Sequence, residues 1–543
     1  MEAKLDRSST AAAMQVPSPP PRLKISHFKH LFDQAGVTDQ VLAHRYMGQG
    51  TPLSPFIVEF VPGDPYNPME FSKAKRWVYA MIMAAATLAV SFSSSAFSSA
   101  TGEVMEEFRA STDVAILGVS LFVLGFAIGP VFWAPLSEFY GRQIIYAVTY
   151  LPLAALNAGA IGSKNIQTLL VLRFLAGSFG SSPLTNAAGV VADMFDANER
   201  ALALAIFVGA AFLGPSLGPI ASGFLVEAAG WKWNQGLMAI FTGIIFLVGS
   251  VGVPETYTPY LLRTRAAKLS HLTGKVYQSK TDSINQSKPK TIAEQFKTAF
   301  LRPWILLFWE PIVLLTSIYI AIVYGTLYLL FAAYPVIFTE LRGWKLSMTG
   351  LAFAAIAVGM LVTVFYYIFV EQKRYLRVVE ANGGFAPPEA RLPPAIIGSV
   401  LLPVGLFWFA WTNGPEMHWI VPLVGTGFFG AGLVFVFLGL INYLVDSYVV
   451  YAASALAANS VLRSIFGAVF PVIAPAIYSG LNVHWASSIP AFLSVLCMPG
   501  PLLFYWYGER IRSKCKYAAE AAGILKNMLG GASERESEQG EPC

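Results

Sequence analysis

From Val78 onward the chain repeats apolar runs long enough to cross a bilayer, and that feature removes most folds from consideration. A membrane helix needs about 20 mostly apolar residues. Runs of this order lie at 78–98, 113–134, 144–162, 166–192, 202–226 and 235–253. They resume at 304–332, 346–370, 395–412, 418–443, 451–478 and 486–507. Inside a bilayer the backbone must satisfy its own polar groups, so such runs are helices. Glycine and proline are frequent within them, which membrane helices tolerate. Composition agrees. Of the 543 residues, 13% are charged, against about 25% in soluble proteins. The expected fold is an all-α membrane protein, with about twelve transmembrane helices in two six-helix bundles.

A polar gap at 254–303 holds nine Lys/Arg and divides the runs six and six. The division reads as an internal duplication. It gives an N-terminal bundle over 78–253, a central loop over 254–303 and a C-terminal bundle over 304–507. An arm at 1–77 precedes them, polar, proline-rich and partly disordered around Pro17–Pro21, and a tail at 508–543 follows. The fifth run holds Gly214-Pro215-Ser216-Leu217-Gly218-Pro219, and the eleventh answers it with Gly467, Pro471 and Pro475. Ordinary Gly/Pro enrichment in membrane helices accounts for part of that echo.

Charge sets the orientation. With an even number of spans both termini share a side. That side carries 30 of the 37 Lys/Arg, the other carries five, and Arg173 and Arg463 lie within runs. By the positive-inside rule both termini are cytosolic.

Several function classes drop out. No Gly-x-x-x-x-Gly-Lys-[Ser/Thr] occurs, which argues against an ATP-driven pump. Gly214-Pro215-Ser216-Leu217-Gly218 matches a nucleophile elbow only formally, since it sits mid-helix rather than between strand and helix. The three cysteines, Cys497, Cys515 and Cys543, make no disulfide framework or metal-ligand spacing. No basic patch interleaved with aromatics points to nucleic acid. The expectation is no enzyme, no cofactor and no metal.

Three constellations stand out. Pro135-Leu136-Ser137-Glu138-Phe139-Tyr140-Gly141-Arg142 closes the second run, where a carboxylate and a guanidinium around a tight turn can bond neighbouring helix ends. A snorkelling loop is the plainer alternative. Leu169, Arg173 and Gly177 are spaced by four in the fourth run, which puts Arg173 roughly 10 Å inside the helix, where arginine is costly and faces a cavity or partner. Gly214, Pro215, Gly218 and Pro219 allow close helix contact and bending in the fifth.

Together these motifs resemble the major facilitator superfamily, specifically its fungal twelve-span drug:proton antiporters. The loop after the second run resembles that family's motif A, Leu169–Arg173–Gly177 its motif B, and the fifth run its antiporter motif C. Further likenesses are Asp64-Pro65-Tyr66-Asn67-Pro68, Pro254-Glu255-Thr256-Tyr257, Glu310-Pro311 and Asn459-Ser460-Val461-Leu462-Arg463-Ser464. The resemblance covers about residues 64–515. Ala134, Glu138 and Gln143 depart from the usual motif A residues.

The resemblance implies proton-driven export of a small organic compound, a drug or secondary metabolite, across the plasma membrane by alternating access. The partners are substrate, protons and the bilayer, and the transporter is a monomer. Arg173 is the expected coupling residue. Glu138, Arg142, Asp193 and Arg200 are the expected gate, and Gly214, Pro215, Gly218 and Pro219 the hinge. Tyr319, Tyr324, Tyr328, Asn459 and Arg463 are the expected substrate contacts, Tyr324 and Tyr328 sharing a face at spacing four. Arg463 lies roughly 18 Å into its run and needs a counter-charge, carbonyls, water or an anionic substrate, so export of a small organic acid is an alternative. A non-transporting sensor on the same fold is another, and the short tail favours transport.

Overall fold

The computed structural model describes residues 25–284, 292–383 and 386–523. The proline tract at Pro17–Pro21 and the end of the tail lie outside them. Ten segments among the described residues are long and apolar enough to span a membrane. One of them, Ile420–Gly480, is about three bilayer thicknesses long as a straight helix. It is two helices, Ile420–Tyr448 and Ala452–Gly480, folded back at Val449, whose φ is 31°. Ile166–Gly180 and Ser182–Met194 are each too short to be among the ten but join through Ser181, whose dihedrals remain helical. The fold is thus an all-α membrane protein with twelve crossings.

In chain order the spans are Lys73–Phe108, Thr112–Tyr140, Arg142–Ile161, the joined pair Ile166–Gly180 and Ser182–Met194, Ala197–Ala229 and Trp231–Gly252. The second six are Pro311–Glu340, Leu346–Ala381, Pro393–Thr412, Ile420–Tyr448, Ala452–Gly480 and Val483–Lys514. Local chemistry sets several ends. Asn165 and Asp196 cap the fourth and fifth spans by accepting the Thr168 and Glu199 N–H groups. Gly141 turns the chain from second to third span at φ 88°, and a Cβ there would strike the Glu255 carboxylate.

The two halves pack alike. In the first, span 1 lies on span 5, span 3 on spans 4 and 6, and span 4 on span 2. Adding six to each number gives the second half's pairs: 7 with 11, 8 with 10, 9 with 10 and 9 with 12. The bundles meet along spans 2 and 11 and along 5 and 8, contacts that the same shift interconverts. A twofold relation between six-helix bundles follows from the contacts alone.

Two regions differ from the sequence reading. Residues 304–309 end a separate helix, Ile292–Trp309, and the seventh span begins only after the extended residue Glu310. The arm from residue 25 to 72, for which the sequence offered no packed fold, packs on the central loop. Phe56–Val58 pairs in parallel with Tyr277–Ser279, and Val41, Tyr46 and Val58 bury against Leu262, Ala266 and Leu269 of helix Thr258–Thr273. Arg265 and Asp64 form a fully buried ion pair at 2.5 Å beneath this layer.

Candidate functional site

Arg173 is fully buried and satisfied by backbone. Its Nε donates to the Gly118 carbonyl at 2.9 Å, and both terminal nitrogens donate to the Ser93 carbonyl at 3.0 Å. Nη2 also reaches the Ser94 carbonyl at 3.4 Å. The rings of Phe122 and Phe97 stack on the guanidinium at 4.3 and 4.9 Å. Ser93 and Ser94 directly precede the point where the first span tightens into the 3-10 turn Ala96–Ala100. Arg173 therefore braces an irregular stretch of span 1 from span 4. Gly177, one turn on, would drive a Cβ into the Phe122 carbonyl, so spans 2 and 4 touch backbone to backbone there.

A line of hydroxyls continues from this brace into the second bundle. Ser94 Oγ lies 2.7 Å from the Tyr328 hydroxyl, and Tyr324 donates to Tyr328 at 3.3 Å. The Arg463 guanidinium stands over the Tyr324 ring at 4.9 Å and over Phe437 at 5.3 Å. Its buried Nε has no hydrogen-bond partner among the described residues. Beside it, Tyr324 and Phe437 join Phe212, Ile320, Val323, Leu433 and Val436 around a space of about 10 Å³. That is room for about one water. The seam is aromatic, with Arg173 on one side and Arg463 on the other.

The other expected contacts fall elsewhere. Asn459 donates to Ser317 at 3.4 Å rather than holding Arg463. Tyr319 is buried near Cys497 of the twelfth span, with no partner for its hydroxyl among the described residues. The five-residue step from Tyr319 to Tyr324 turns it off the shared face. Glu310 is no counter-charge for Arg463, since it accepts from the Tyr448 hydroxyl and the Tyr517 N–H, both at 2.9 Å.

On the side carrying the termini, Arg142 pairs with Asp193 at 2.8 Å and lies 4.8 Å from the centre of the Tyr257 ring. Thr256 donates to the same carboxylate at 3.3 Å. Of the other expected members, Arg200 donates to the Phe195 carbonyl, and Glu138 is exposed without an ion pair among the described residues. The buried carboxylate that completes the cluster is Glu255. It accepts the N–H groups of Gln143, Thr256 and Tyr257 at 3.1, 2.9 and 2.8 Å, and burial raises its pKa against these donors. Gln143 in turn bonds Gln34 and the Leu31 carbonyl, fastening the folded arm to the turn.

Sequence reasoning missed the counterpart in the second half. Arg391, just before span 9, pairs with Asp446 at the end of span 10 at 2.8 Å and stacks on Tyr375. Arg512 grips Glu389 at 2.8 Å. An Arg at or just before the start of an odd span and an Asp at the end of the following even span recur in both halves and were the available signal. Each cluster lies within one bundle. The side-chain bonds that cross between bundles among the described residues are Ser94–Tyr328, Ser216–Met360 and Glu227–Ser347. The last sits on the side opposite the termini, where Gly350 leaves room for the Pro219 carbonyl. Gly214 and Gly218 lie against Ser91–Ala96 of span 1, and helix Ala197–Ala229 runs unbroken through Pro215 and Pro219.

Comparison with known proteins follows this architecture. The sequence profile described as Major Facilitator Superfamily matches residues 83–471. The chain is 55% identical over 506 residues to the "MFS-type efflux pump MFS2" of Trichophyton rubrum, covering 93% of this chain and 84% of that one. It is 53% identical over 521 residues to the "Major facilitator superfamily multidrug transporter mdrA" of Aspergillus fumigatus, covering 95% and 85%. It is 52% identical over 510 residues to the "Efflux pump FUBT" of Fusarium oxysporum, covering 94% and 85%. Among solved structures, the proton:xylose symporter XylE matches with a TM-score of 0.57 at 15% identity, over 80% of this chain and 96% of that one, a likeness of fold alone.

Proposed function

The chain belongs to the Major Facilitator Superfamily, and from that premise we propose that it is an efflux transporter that exports a small organic compound in exchange for protons by alternating access. Relatives more than half identical are named efflux pumps or a multidrug transporter, which supports efflux as the direction. The observation that carries the reading is the bonded seam between the two bundles. Ser94 of one bundle bonds Tyr328 of the other beside an aromatic space of about 10 Å³, too small for any organic substrate. Transport requires that seam to part, and the twofold-related contacts 2–11 and 5–8 supply the surfaces on which the bundles rock.

In this account Arg173 couples the proton gradient to opening, because its bonds to the Ser93 and Ser94 carbonyls end where the cross-bundle bond begins. The clusters at Arg142–Asp193 and Arg391–Asp446 stiffen the bundle ends that swing apart, and the Gly214–Pro219 stretch lets span 5 slide on span 1. The charge bias of the loops supports cytosolic termini, and the relatives' efflux names favour the plasma membrane.

One observation favours an acidic substrate. The Arg463 guanidinium lies over the Tyr324 and Phe437 rings, which line the central space, its Nε has no hydrogen-bond partner, and it forms no ion pair among the described residues. A substrate carboxylate would supply the missing charge. Cells that carry the chain should retain less of an exported compound than cells that lack it. Arg463→Gln should lose export of a small carboxylic acid and spare a neutral drug. No difference in retention for any of a broad panel of compounds would contradict efflux, and equal loss of both substrates would remove the acid preference.

A further inference from the structure

The helix Ile292–Trp309 carries Phe300, Leu301, Trp304, Ile305, Phe308 and Trp309 at i, i+1, i+4, i+5, i+8 and i+9, and all six are exposed. That spacing makes one continuous apolar stripe. On a membrane protein such a stripe lies against lipid. The chain then bends at Glu310 into span 7. Opposite, the last turns of span 12 present Tyr507, Arg510, Ile511 and Lys514, one helical face, before Lys516 and Tyr517 close the end. Between these walls lies a groove of about 840 Å³. Its apolar lining, Ile305, Trp309, Pro311, Tyr507 and Ile511, continues the lipid-facing stripe.

The charges in the groove are unbalanced. Arg510, Lys514 and Lys516 are exposed and form no ion pair among the described residues. The one carboxylate in the lining, Glu310, is buried, and its two oxygens are taken by Tyr448 and Tyr517. We propose that this groove binds an anionic phospholipid of the leaflet on the terminus side. Arg510, Lys514 and Lys516 hold the net negative charge of the headgroup, and the acyl chains run along Trp309, Ile305 and Tyr507. A soluble phosphate would use the cations and leave the aromatic walls without a role. Because Glu310 ties the foot of span 7 to span 10 and to the segment after span 12, an occupied groove would brace the second bundle where it leaves the bilayer.

The test is lipid retention by the purified full-length protein, read by native mass spectrometry with phosphatidylserine, phosphatidylcholine and glycerol 3-phosphate as probes. A cation at an anionic headgroup is worth severalfold in affinity, so three should favour phosphatidylserine over phosphatidylcholine by at least about tenfold. Replacing all three (Arg510→Gln, Lys514→Gln, Lys516→Gln) should erase that preference. A control carrying Lys373→Gln and Arg377→Gln, exposed cations on the same side but outside the groove, should keep it. Glycerol 3-phosphate should bind at least about tenfold more weakly than the lipid, since it lacks the chains that the apolar walls bury. Equal retention of the two lipids, equal loss in both variants, or glycerol 3-phosphate bound as tightly as phosphatidylserine would each overturn the proposal.

Discussion

Ser94 Oγ and the Tyr328 hydroxyl stand 2.7 Å apart, a bond between residues 234 positions apart that joins the two bundles at their seam. A buried hydrogen bond of this kind contributes about 0.5–1.5 kcal/mol. Tyr328→Phe removes it with little change of volume. The variant should reach the membrane normally and shift the closed-to-open ratio about two- to tenfold toward open. Double electron–electron resonance between spin labels on opposite bundles checks this, and an unchanged distance distribution would show that the bond holds nothing shut.

Arg173 donates from three nitrogens to carbonyls of two different spans. A lysine ammonium is a point charge and cannot span Gly118 and Ser93 with that fork. Arg173→Lys should therefore resemble Arg173→Ala in export, keeping downhill exchange while losing acceleration by a pH gradient. What is lost is a set of hydrogen bonds from a charged donor, worth about 1.5–3 kcal/mol each, so the melting temperature should fall as well. Gradient-dependent export by the lysine variant would remove Arg173 from coupling.

The buried pair Arg265–Asp64 locks the arm onto the central loop. Asp64→Asn leaves a buried guanidinium without its counter-charge, at a cost of about 3–5 kcal/mol. Hydrogen exchange should rise across residues 25–72 and 258–284 and stay unchanged in the spans. Exchange that stays slow in the arm would show that its apolar contacts suffice.

His30 sits within the same layer, packed on Tyr66 and Phe71. Burial, with Lys75 and His27 nearby and Asp64 opposing, lowers its pKa to about 4. The undocked arm would bind a proton near pH 6.5 that the docked arm refuses. Docking is therefore at full strength above about pH 6.5 and weakens as pH falls toward 4. Hydrogen exchange of residues 27–36 should quicken over that window in the wild type, and His30→Phe should flatten the dependence.

The fold was legible because lipid imposes a length, and twelve runs of that length leave few arrangements. Boundaries were less so. An apolar stripe at a membrane surface has the same composition as a span, so the sequence read 304–309 into span 7, and only the Glu310-Pro311 break separates them. The folded arm was hidden because its apolar residues are sparse and their partners, Leu262, Ala266 and Leu269, lie some 200 positions away. The centre was partly readable. An arginine within an apolar run announces itself, and spacing four put Tyr324 and Tyr328 on one face. What they touch was not readable, since Ser94 and Phe437 are unremarkable residues far along the chain. Charged partners were half legible: of the acids expected beside Arg142, Asp193 pairs with it and Glu138 does not, and Glu255, which was not expected, accepts the Gln143 N–H at the turn.

Proton-coupled efflux is the central claim, and the direct measurement is substrate movement in proteoliposomes holding the purified protein with an acidic lumen. An exchanger drives substrate inward as protons leave. Accumulation should exceed that in protein-free liposomes, collapse on adding a protonophore, and proceed with a matching rise in lumenal pH. Uptake that only reaches equilibrium, at a rate indifferent to the pH gradient, would contradict the account.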